Sequence, residues 1–164
     1  IKIIVSLKGI KPTILFNIIL IITFSISVNT FVELNIINLI FYILFHLTFI
    51  YYLFYHYNYL LYWISLFYGL FFDIFLLNSI GTHLLCFIIL ITTYVLLKKY
   101  LIFLSSKQIT ITIFITLIIT LFSEMIFASI LNSYKLIIFQ FINNIMISII
   151  IFFPTIFLLN KIDN

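Results

Sequence analysis

Charge is nearly missing from this chain. Of its 164 residues only 7% are charged, and arginine is absent, so that all eight basic residues are lysine. Soluble domains carry roughly a quarter charged residues, and an ordinary solvated surface is therefore excluded. Glycine occurs three times and proline twice, which leaves few breaks in regular structure. The one cysteine, Cys86, excludes an internal disulfide and a cysteine-based metal cluster. Its neighbours in "HLLCFIIL" give it the character of a small apolar packer. No glycine-rich phosphate loop, HExxH or GxSxG is present, so no catalytic, cofactor or metal residue is assigned and the chain is not expected to be an enzyme.

What is abundant is apolar. The composition is 66% hydrophobic and 20% aromatic, with a mean hydropathy of +1.40. The richness in Ile, Phe, Tyr and Asn also fits an AT-rich coding genome, which lowers the weight of any single Phe. Polar breaks divide the sequence into six apolar stretches, about 12–32, 36–54, 59–77, 82–97, 109–131 and 136–159. Each is near the ~20 residues that cross a bilayer at 1.5 Å per residue. The fourth is the shortest, and a partly re-entrant path is open to it. The stretches lack the alternation a membrane β-barrel needs, and helices satisfy their own backbone in lipid. The expectation is an all-α polytopic integral membrane protein, a single transmembrane domain over 1–164 with about six transmembrane helices.

The lysines set an orientation. With six crossings and a cytoplasmic N-terminus, Lys2, Lys8, Lys11, Lys98, Lys99, Lys107 and Lys161 fall inside and Lys135 alone falls outside. Such asymmetry follows the positive-inside rule and predicts both termini cytoplasmic. The apolar run after the first lysines is of spanning length and lacks a small-residue cleavage site, so the first helix is expected to stay in the protein. The lysines flank spans and form no basic run, which favours lipid headgroups over nucleic acid as their partner. "YYLFYHYNYLLYW", Tyr51 to Trp63, reads as an aromatic belt at the inner boundary, with His56 interfacial and His46 in aromatic surroundings.

Two acids lie inside apolar spans, where a charge is costly. Asp73, in "GLFFDIFLLNSIG", sits about four residues or ~6 Å from the outer end of the third span. Gly69, one turn earlier on the same face, lets another helix come close enough to shelter the acid. Glu124, in "LFSEMIFASIL", lies in the outer half of the fifth span, and His83 begins the fourth on the same side. Asp73, Glu124 and His83 are thus expected near one polar site, with Lys135 as a candidate counter-ion. Four readings of that site stay open: proton or cation binding for transport or the holding of a metal by two acids and one imidazole, acid–base chemistry on a lipid-linked substrate, hydrogen bonding to a partner's transmembrane helix, and helix capping. Asn143 and Asn144 are expected to bond between helices, and Pro154 to kink the last span.

Gly69, Asp73 and Gly81, followed by "THLLCFIILITTYVLLKKY", resemble the most regular feature of the MreD family of rod shape-determining membrane proteins. The closing "NNIMISIIIFFPTIFLLNK", with Asn144 and Pro154, is similar to that family's last helix. The likeness covers the second half of the chain better than the first. Leu77 departs from it where relatives often have a small residue, and lysines replace arginines throughout. The resemblance implies a non-enzymatic scaffold in the bacterial cytoplasmic membrane. It would assemble with MreC-like and MreB-like elongation proteins and cell-wall synthases, with self-association open and no cofactor. The motif would then be a partner or helix-packing site.

Two other classes compete. A six-helix substrate-binding subunit of a vitamin uptake transporter has similar size, but its outer loops should carry more hydrogen-bonding groups than Asn35, Asn78, Thr82, Asn132 and Tyr134 supply. An organelle-encoded respiratory subunit should place its proton-pathway acids nearer the membrane centre.

Overall fold

A computed structural model describes residues 2–29, 35–77, 80–132 and 138–163, with side chains described over 13–29, 36–77, 80–131 and 141–163. Among these residues every regular element is a helix: α1 (Lys2–Ser27), α2 (Asn35–Tyr55), α3 (Leu60–Phe72, continued by a wider π turn over Asp73–Leu77), α4 (Thr82–Leu101), α5 (Ser106–Asn132) and α6 (Ile138–Asp163). Five of them are long and apolar enough to cross a membrane, and the described part of α1, Thr13–Ser27, is a shorter apolar helix. The protein is a multi-pass membrane protein. The fourth helix is a full 20 residues, long enough to cross a bilayer: Lys98 and Lys99 sit in its last turn and prolong it rather than end it. The first helix stops at Ser27, short of the expected 32, and α6 runs on past Pro154 to Asp163.

α2 is the hub. Its span is 56% buried within the protein, against 22–33% for the other four, as expected of a helix apolar on every side. Residues 43, 45–53 are all essentially inaccessible. α1 lies along α2 through stacked rings, Phe16 on Tyr51 and Tyr52, while Phe24 meets Phe45 at a tilt and Phe72 of α3 edge-on. The aromatic run 51–63 therefore divides: Tyr51 and Tyr52 turn into the core, while Tyr59, Tyr62 and Trp63 point outward. The outward faces of the other helices carry Ile, Leu and Phe, such as Ile18, Leu96, Ile111, Ile150 and Phe157. In water this would be an aggregating surface; in a bilayer it is the ordinary lipid-facing one.

Candidate functional site

Two glycines decide how α3 meets α4. A Cβ on Gly69 would stand 2.8 Å from the Leu84 Cα, closer than real side chains come, so the absent side chain is what lets the helices touch backbone to backbone. Gly81 holds φ +139° immediately before α4, a region that side chains rarely enter. Between them the π turn begins at Asp73. Such a one-turn widening rotates the side chains that follow it and recurs at functional sites.

The outcome is that the Asp73 carboxylate caps the start of α4. Oδ2 accepts the backbone N–H of Gly81 at 2.7 Å and of Leu84 at 3.2 Å, and Oδ1 accepts the N–H of His83 at 2.7 Å. The His83 Nδ1 is 2.9 Å from the same Oδ1. A helix start leaves its first N–H groups without partners, and an anion there is favoured by the helix dipole. Here the cap comes from the preceding helix, so one residue closes the α3–α4 hairpin.

The contacts continue inward from His83. Its Nε2 is 3.0 Å from the Tyr42 hydroxyl, and that hydroxyl donates to Glu124 Oε2 at 2.5 Å. Glu124 Oε1 lies 2.8 Å from His46 Nε2, and His46 Nδ1 lies 2.8 Å from the Tyr42 carbonyl. Asp73, His46, His83 and Glu124 are at most 5% exposed. Phe72, Phe45 and Phe87 pack around the imidazoles, while Tyr42 is half-buried.

The donors and acceptors can be counted. Five contacts run Asp73–His83–Tyr42–Glu124–His46–Tyr42 carbonyl, and each requires one proton. Five neutral side chains of these types bring one proton each, so the supply equals the demand. Shifting the proton across the Asp73–His83 or Glu124–His46 contact makes an ion pair without altering the count. The cluster is thus fully bonded and carries no net charge, which is how two acids persist in an apolar bundle. Both ends stop on backbone: three N–H groups at Asp73 and one carbonyl at His46.

Of the residues the sequence singled out, Asp73, His83 and Glu124 are joined in this one cluster, and Gly69 and Gly81 shape the hairpin that holds it. Lys135 lies outside the described residues. Asn144 and Pro154 are elsewhere, on α6. Asn144 Oδ1 is buried without a hydrogen-bond partner among the described residues, contrary to the expected interhelical bond. With Ser27, Asn38, Tyr42 and Asn143 it lines a cleft of about 580 Å³. Sequence reasoning missed Tyr42 and assigned His46 to generic aromatic surroundings. Their signal was available: they stand four apart in "FYILFHLTF", which puts two hydrogen-bonding groups on one face of an otherwise apolar helix.

A second cluster lies at the other end of α2. Asp163 Oδ1 is 2.7 Å from His56 Nε2, and the Tyr51 hydroxyl donates to Asn160 Oδ1 at 2.8 Å, which fastens α6 to α2. Among the described residues no group of three His, Cys, Asp or Glu is arranged to hold a metal ion. Cys86 is buried with its Sγ 3.4 Å from the Ser123 hydroxyl. No protein-family model, curated protein or solved structure matches this chain.

Proposed function

We propose that this chain is a non-enzymatic scaffold of the bacterial cell-elongation machinery, of the MreD type, set in the cytoplasmic membrane with both termini cytoplasmic. One observation carries the reading. The Gly69–Asp73–Gly81 unit is a self-contained device whose carboxylate is fully engaged in joining α3 to α4. A catalytic acid needs a lone pair or proton facing substrate, and a proton path needs an entry and an exit. Asp73 offers neither, because its two oxygens are taken up by three backbone N–H groups and the His83 ring. A rigid hairpin that presents its outer surface to other spans suits a protein that organises partners rather than transforms a substrate.

The partners on this reading are MreC-like and MreB-like proteins and the cell-wall synthases, met through the apolar faces and short loops. Affinity purification of the tagged chain from native membranes after mild crosslinking, with mass spectrometry of what accompanies it, tests the reading. Recovery of elongation proteins is expected. Recovery of the ATPase subunits of an uptake system would overturn it in favour of a vitamin-binding transporter subunit. The observation that favours this second reading is the cleft at Asn38, Tyr42, Asn143 and Asn144, whose unpartnered Asn144 oxygen would accept a hydrogen bond from a small polar ligand.

A further inference from the structure

The α4–α5 hairpin carries a groove that the polar cluster does not touch. It encloses about 320 Å³ and is lined along α4 by residues from Cys86 to Leu101 and along α5 from Thr112 to Ser123, with Phe54 of α2 among its walls. Fifteen residues of helical rise give it a length of about 22 Å, more than the ~15 Å depth of one leaflet's hydrocarbon.

Its hydroxyls do not make it polar. Thr112, Thr116 and Thr120 each donate to the carbonyl one turn back, and Ser123 donates to the Thr120 carbonyl. What faces the groove is methyl and methylene. An apolar cavity of about half this size already stays dry and takes up hydrocarbon.

One end of the groove is basic. Lys98 and Lys99 occupy the last turn of α4, and Lys107 is the second residue of α5. All three are exposed. Lys98 Nζ rests 4.8 Å over the Tyr57 ring, which holds its charge at that end. Among the described residues no ion pair involves a lysine, because the acid at the same end, Asp163, is engaged by His56. Exposed Tyr59, Trp63, Tyr100 and Phe103 mark the level of the headgroups there.

We propose that the α4–α5 groove binds one acyl chain of an anionic phospholipid, with the headgroup phosphate against Lys98, Lys99 and Lys107. The chain fills the apolar channel and the three lysines select the charge of the head. This site stands apart from the elongation reading and holds whichever partners the protein has.

Native mass spectrometry of the detergent-purified chain, offered equal amounts of phosphatidylglycerol and phosphatidylcholine with identical acyl chains, tests both parts. Phosphatidylglycerol is expected to be retained roughly tenfold over phosphatidylcholine, since juxtamembrane lysines each add attraction to anionic lipid. The triple substitution Lys98→Gln, Lys99→Gln, Lys107→Gln should erase that preference while some of both lipids stays bound. Thr116→Phe or, on the facing helix, Thr93→Phe should fill the channel and reduce retention of both. Equal retention by the parent chain, an unchanged preference in the lysine variant, or full retention by both Phe variants would overturn the site. In native membranes a photo-crosslinking residue in place of Ile119 should capture lipid; capture of a protein would give the groove to a partner helix instead.

Discussion

The protein makes histidine–carboxylate contacts of nearly equal length in two very different places. At the interior of the bundle, His83–Asp73 and His46–Glu124 stand at 2.9 and 2.8 Å with side chains at most 6% exposed. At the end of α2, His56–Asp163 stands at 2.7 Å with side chains 22% and 23% exposed. Distance does not separate them; surroundings do. Water or headgroups can reach both partners of the half-buried end pair, which places its contribution near that of surface pairs, typically ~0–1 kcal/mol. Inside, Asp73 and Tyr42 each hold two or more partners at once, so losing one side chain frees several polar atoms. The interior contacts therefore behave as a set, and the end contact as an isolated fastening.

That contrast orders the expected effects of substitution. Asp73→Ala should be the most damaging, because it strands three backbone N–H groups and the His83 ring together. A loss of about 3–5 kcal/mol is expected for breaking a buried charged contact, read as a shift in unfolding by denaturing detergent in mixed micelles. Asp73→Asn should be milder, yet still costly, because its amide nitrogen would replace an oxygen that now accepts N–H donors. Tyr42→Phe should follow, at about 1–3 kcal/mol for leaving the Glu124 oxygen and the His83 nitrogen unpaired; the same unfolding assay would expose an overestimate.

Gly69→Ala belongs in the same range for a different reason. Its methyl would press on the Leu84 backbone, and overpacking of this kind costs about 1–3 kcal/mol. The loss should appear with the polar cluster intact, so crosslinking between cysteines placed on α3 and α4 would report a wider gap between the helices. At the far end of the scale, Asp163→Asn should change stability by less than about 1 kcal/mol. A larger drop there would erase the distinction between the two regions.

Much of the interior was legible from sequence. Asp73 and Glu124 stand out because an acid among Phe, Leu and Ile needs a partner, and Gly69 stands out because it is a small residue one turn away on the same face. The π turn and the capping of α4 by a residue of the preceding helix were not legible, since both depend on the backbone contact that Gly69 permits. Tyr42 and His46 were hidden by composition. In a chain with 11 tyrosines and 21 phenylalanines, one hydroxyl on one ring carries little signal until α2 and α5 are set side by side. The fourth helix runs past 97, where its apolar stretch ends, because the long apolar stems of Lys98 and Lys99 let a helix continue through them.

The central claim is that the interior cluster is fully matched, with one proton for each contact and none to spare. Glu124→Gln separates this from a generic buried charge. A glutamine can accept from Tyr42 through its oxygen and donate to His46 Nε2 through one N–H, so the five contacts survive and only its second N–H is left over. The most direct measurement is reversible unfolding of the parent, Glu124→Gln and Asp73→Asn side by side in mixed micelles. The account predicts a loss of about 1–3 kcal/mol for Glu124→Gln, from that one spare N–H, and a clearly larger loss for Asp73→Asn. Equal losses in the two variants would contradict it, because the cluster would then depend on its charges and not on the matching of its donors and acceptors.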